Sequence, residues 1–145
     1  MIYNDFYTKM LTPIIHTSTD LHIETSPVPI SQLNKVERGE SSEAIRTRVI
    51  AARAIQTERF KNTVGVHCNA QMGSKLTRQF CVLTDECRFI MEQAMNRLGL
   101  SARAYDRILR VARTIADLEA APNINPDHLR EAITYRSLDR DSWGR

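Results

Sequence analysis

Gly99 followed two residues later by Ser101 is the feature that most constrains this chain. Glycine closes a helix in the left-handed conformation, and a serine cap accepts the first free N–H groups of the next one. One helix therefore stops and another starts across Gly99-Leu100-Ser101. The new helix carries Ala104, Ile108, Val111, Ile115 and Leu118 at spacings of 4, 3, 4 and 3, an apolar stripe predicted to be core. Arg103, Arg107 and Arg110 lie beside that stripe. Asp106 is placed to pair with Arg110, and Asp117 with Arg113, at four-residue spacing. Arg103 falls in the first turn, where unpaired N–H groups and the positive end of the helix dipole favour an anion. A solvated or ion-paired arginine is the plain alternative.

Other start signals divide the rest of the chain. Ser41 or Ser42 caps a helix to about Phe60, with Glu43 in its first turn and Ile45, Val49, Ala52 and Ile55 as its predicted buried stripe. Arg46, Arg48, Arg53 and Arg59 surround that stripe. Ser74 is read as the cap of a short helix to about Cys81. Thr84 opens the next, whose second stripe is Cys87, Ile90, Met91, Ala94 and Leu98, with Leu100 placed to touch Met95 beyond Gly99. Asn125 as cap, Pro126 at the first position and Ile124 stapling onto Leu129 start a last helix to about Tyr135, with Ala132 and Ile133 also inward. Upstream, Leu21 and Ile23 alternate with His22 and Glu24 in a strand-like piece that Pro27 and Pro29 terminate. A lone strand needs a partner for its backbone groups. The reading is mainly α: a small bundle of four to five helices with a short N-terminal β-like segment. Residues 1–40 are strand and linker, 41–138 the helical domain, and 139–145 a tail in which Trp143 is free to fold back.

At 145 residues the chain suits one domain, and no stretch approaches the ~18 consecutive apolar residues of a membrane span. The start MIYNDFYTKM has no basic region followed by an apolar run, so the cytoplasm is the expected compartment. Cys68, Cys81 and Cys87 are odd in number and without metal-ligand spacing, which predicts reduced thiols and no metal. Net charge is +3, but residues 41–113 hold 13 basic and 6 acidic side chains while 1–40 and 114–145 each sum to −2. Sixteen of the 20 basic residues are arginine, suited to bidentate contact with phosphate or carboxylate. A nucleic acid partner contacted by Arg107 and Arg110 is one reading; solvated helix faces with local ion pairs are the other. No nucleophile with a base, carboxylate pair or metal set has catalytic spacing. His67 and Cys68 are neighbours whose side chains point apart, a weak dyad. Glycines stand at 39, 65, 73, 99 and 144, and none forms a phosphate-cradling loop with a following Lys-Ser or Lys-Thr.

The run from Gly99 to Leu118, ending Ala112-Arg113-Thr114-Ile115-Ala116-Asp117-Leu118, closely resembles the C-terminal part of magnesium-chelatase-like AAA+ ATPases of the ComM/YifB type. Asp20-Leu21-His22-Ile23-Glu24, Glu40-Ser41-Ser42, Gln56 with Arg59-Phe60 after Arg53, Asn69-Ala70 and Glu131-Ala132-Ile133 with Tyr135-Arg136 extend the likeness over about residues 20–143. The resemblance implies a helical AAA+ lid following the end of an ATPase core. It implies that Arg103 is the sensor 2 arginine reaching the phosphates of ATP and Mg held on a P-loop subdomain, with Arg107 as a lesser candidate. The large subdomain or homologous subunits become the expected partners, and DNA or a partner protein the substrate of the complete machine. Relatives usually have Pro-Leu-Leu-Asp-Arg-Ile-Asp-Leu-His before the strand. Here Pro13-Ile14-Ile15-His16-Thr17-Ser18-Thr19-Asp20-Leu21-His22 omits the arginine that acts across a subunit boundary. The phosphate loop and acidic Mg-binding segment (Walker A and Walker B) would lie before residue 1. The chain is therefore expected to be a detached lid that binds no cofactor and hydrolyses no ATP alone. A stand-alone basic module or a degenerate remnant are the alternatives.

Overall fold

The computed structural model describes Leu21 and residues 39–137. Leu21 is exposed; the rest of the strand-like piece, the segments before residue 39 and after 137, and Trp143 lie outside the described residues. The elements are α1 (Ser42–Phe60), a 3₁₀ turn (Asn69–Gln71), α2 (Ser74–Phe80), α3 (Asp85–Leu98), α4 (Ala102–Leu118) and α5 (Pro126–Ser137). Five α-helices and, among the described residues, no strand make the fold mainly α.

The caps follow local chemistry. Ser41, Thr84 and Ser101 accept from the N–H of Ala44, Cys87 and Ala104 at 3.2, 3.3 and 3.3 Å. Gly99 is left-handed at φ 58°, and the Leu100 N–H returns to the Met95 carbonyl at 3.1 Å. Asn125 accepts from both Asp127 and His128 N–H at 2.9 Å, and His128 Nδ1 accepts the Asn125 N–H at 3.1 Å, closing a reciprocal capping box. Nδ1 as acceptor leaves the ring proton on Nε2, which meets Glu119 Oε2 at 2.8 Å. One cap differs from expectation. Gly73 precedes α2, and Ser74 is its first residue, because the Ser74 hydroxyl donates across to Asp106 at 2.6 Å instead of folding onto its own helix.

α4 is the central element, packed against α1, the 3₁₀ turn, α2 and α5, while α3 leans on α5. Phe60, Met72, Met91, Ile108, Ile124 and Leu129 anchor one apolar core, in which Phe60 meets Phe80 edge to face at 5.6 Å. Ala104, Ile108 and Ile115 are buried as their spacing predicts, but Leu118 is exposed. Leu109, Ala112 and Ala116 are buried outside the predicted stripe, because a helix with neighbours on several sides needs more than one apolar face. Ile45 and Val49, predicted as buried, are exposed on the first half of α1; burial begins at Ala52.

The turn after α4 is strained. Ala120 is the one non-glycine residue with positive φ among those described, at 53°, where a side chain costs about 1–2 kcal/mol. Bonds from Ala121 N–H to the Ala116 carbonyl at 2.8 Å and from Ala120 N–H to the Asp117 carbonyl at 3.1 Å hold it there.

Candidate functional site

The arginines of α4 separate by depth. Arg113 is buried, and its Nε donates to Asp117 Oδ1 at 3.1 Å, the pair that four-residue spacing predicts. Its remaining nitrogens donate to the Pro122 and Ala121 carbonyls at 2.9 and 2.6 Å, pinning the turn that strains Ala120. Arg110 does not pair with Asp106. Its Nη1 donates to the Met72 and Ala70 carbonyls at 3.0 and 3.2 Å, while Asp106 takes the Ser74 hydroxyl. The 3₁₀ turn lies within reach of Arg110, and carbonyls with no helical partner are the better acceptors for it. Arg107 is buried as well. Arg103 alone among the four is exposed, in the first turn of α4, and makes no hydrogen bond or ion pair within the described residues.

Beneath this face lies a buried polar network. Asp117, whose side chain is 0% exposed, accepts both arms of Arg59 at 2.5 and 2.6 Å, Asn69 Nδ2 at 2.7 Å and Arg113 Nε. Asn69 also accepts from Arg59 Nη1 at 2.8 Å and donates to Thr114 Oγ1 at 3.1 Å; its own N–H reaches Gln56 Oε1 at 3.1 Å. Every group has a partner, the condition under which such a network rigidifies a core. It ties α1, the 3₁₀ turn and the C-terminal half of α4 into one frame. Burial pulls the Arg113 guanidinium below its usual pKa, opposed by the attraction of Asp117. Burial also pushes the neighbouring Cys81 thiol up to about 12, with Arg113, Arg59 and Arg110 pulling the other way. A thiol held protonated is no nucleophile. Cys87 is fully buried, as a small core residue should be, and Cys68 is half-buried. His67 is exposed and uses its backbone N–H on Gln71 Oε1 at 2.7 Å. Among the described residues no group of three or more His, Cys, Asp or Glu side chains is placed to hold a metal, and no helix is long and apolar enough to cross a membrane.

Residues 39–136 match the family described as magnesium chelatase, subunit ChlI C-terminal. The chain belongs to that family. It is 44% identical over 122 residues to Competence protein ComM of Haemophilus influenzae, covering 83% of this chain and 23% of that protein. It is similar over the same extent to YifB of Escherichia coli at 43% and of Salmonella typhimurium at 40%. The chain thus spans about a quarter of the length of these curated relatives, and corresponds to the C-terminal lid of ComM/YifB-type proteins. Gln56, Arg59, Asn69, Arg113, Thr114 and Asp117, residues of the motifs that carry the resemblance, are the members of the buried network. Spacing reveals only the Arg113–Asp117 pair; Arg59 and Asn69 join it from 58 and 48 residues away. The four-residue spacing of Arg113 and Asp117 was the one local signal of the network.

Proposed function

We propose that this chain is the helical lid of a ComM-like AAA+ ATPase and that Arg103 is its contact with nucleotide phosphate. The observation that carries the reading is the sorting of the α4 arginines. Arg113 and Arg110 are committed to internal acceptors and Arg107 is buried, while Arg103 presents an exposed guanidinium beside the first-turn N–H groups. An anion there satisfies both the arginine and the helix end. The residues present fit one edge of a bound ATP, not a whole site. Bound Mg-ATP supplies the phosphoryl group. This chain supplies a positive charge and hydrolyses no ATP alone. Arg107 and Arg110 are assigned to support of the helix, and DNA or a protein partner to the complete machine.

The test grafts this chain in place of the matched quarter of the Haemophilus relative. Arg103→Ala should lower kcat/KM for ATP by about 10- to 100-fold, the range of a lost charge-assisted hydrogen bond. Mg-dependent ATPase activity in the pure 145-residue chain, abolished by Arg103→Ala, would overturn the assignment.

A further inference from the structure

Asp106 stands between two arginines of its own helix, Arg103 three residues before it and Arg110 four residues after, and it pairs with neither. Both spacings are within ion-pair reach on a helix. The chain running from the 3₁₀ turn into α2 keeps the three apart. Its Ala70 and Met72 carbonyls hold Arg110 Nη1 at 3.2 and 3.0 Å, and the Ser74 hydroxyl that follows donates to Asp106 Oδ2 at 2.6 Å. Gly73 takes the cap position of α2, so the Ser74 hydroxyl is not used on its own helix. Without Ser74 the carboxylate would turn to Arg103. Each Cα–Cβ bond of a helix tilts toward the N-terminus, and the positive end of the dipole draws a carboxylate the same way. Arg110 already has two acceptors, whereas Arg103 has none among the described residues.

We infer that Ser74 and Asp106 are a positioning pair: the Ser74 hydroxyl holds the Asp106 carboxylate away from Arg103, which keeps that guanidinium open to phosphate. Neither residue touches the nucleotide. The inference rests on the phosphate reading of Arg103 above. A carboxylate released onto Arg103 opposes phosphate in two ways, by occupying the guanidinium donors and by adding negative charge where the anion binds. Serine suits this position because its single hydroxyl proton goes to the carboxylate and it brings no charge of its own.

Two measurements separate the pair from the reading it rests on. In the 145-residue chain, nitrogen-15 NMR follows the Arg103 side chain directly. Ser74→Ala should slow guanidinium rotation and the exchange of its Nε–H with water by about 2- to 5-fold, the range of one exposed ion pair. Ser74→Ala/Asp106→Asn should return both to wild-type values, and Ser74→Thr, which keeps the hydroxyl, should leave them there. In the graft onto the Haemophilus relative, Ser74→Ala should lower kcat/KM for ATP by about the same factor. Adding Asp106→Asn should restore it, and Ser74→Ala should have no effect where Arg103 is already replaced by alanine. An Arg103 side chain that Ser74→Ala leaves unchanged would overturn the inference, as would a loss of kcat/KM that persists in Ser74→Ala/Asp106→Asn or in the Arg103→Ala background. Should Arg103→Ala leave the kcat/KM of the graft unchanged, the phosphate reading and the use of the pair for ATP both fall, while the NMR result alone decides whether Ser74 holds Asp106 off Arg103.

Discussion

The two ends of α4 put arginine to opposite uses. Near the C-terminal end Arg113 is buried, shares Asp117 with Arg59 and donates to two turn carbonyls. At the N-terminal end Arg103 is exposed and unpaired among the described residues. The residue type and the helical spacing are the same, so the difference comes from neighbours. One end of α4 is enclosed by α1, the 3₁₀ turn and the turn toward α5; at the other, Ser101, Ala102 and Arg103 are exposed before burial begins at Ala104. Burial converts an arginine into scaffold, and exposure leaves it available to a partner.

The largest effect should come from breaking the buried end. Asp117→Ala leaves Arg59 and Arg113 buried without their shared carboxylate, and should cost about 3–5 kcal/mol in urea unfolding. A cost below about 1 kcal/mol would show that water replaces the carboxylate and that the end is not truly enclosed.

The same enclosure should appear in pH dependence. The Cys81 thiol ionises near 9.0 when unfolded but keeps its proton to about 12 when folded. The stability from burying it neutral is present in full below pH 9 and is lost as pH rises toward 12, at roughly 1 kcal/mol per pH unit. Cys81→Ala should flatten that alkaline decline relative to wild type in paired denaturation curves.

Smaller and opposite in sign, Ala120→Gly should stabilise the chain by about 0.5–1 kcal/mol, because glycine adopts the left-handed turn without a side-chain penalty. Thermal melts read it directly; destabilisation would mean that the turn relaxes elsewhere. Smallest of all, Arg103→Ala should change unfolding free energy by less than about 0.5 kcal/mol. A larger loss would place Arg103 in the scaffold and erase the contrast between the two ends.

Much of the fold was legible in local residues. Ser41, Thr84, Gly99, Ser101 and Asn125 each set a helix boundary through a bond to a residue within five positions. The resemblance carried by Arg113 to Leu118 identified the family, because those residues meet a demand set by the whole fold. The candidate site was legible only in part. Arg103 stood out by its place in the first turn, but so did Arg107 and Arg110 as candidates, and a helical wheel ranks none of them by depth.

By itself the sequence determined where helices start and stop, and which chain family this is, since caps and periodicity act within a few residues of one another. The tertiary structure decided what lies between those boundaries. It placed Arg59 and Asn69 on Asp117, diverted Arg110 from Asp106 to the carbonyls of Ala70 and Met72, buried Leu109 while exposing Leu118, and left Ile45 and Val49 uncovered. Those outcomes depend on desolvation and on partners distant in sequence, and neither exists until the helices pack.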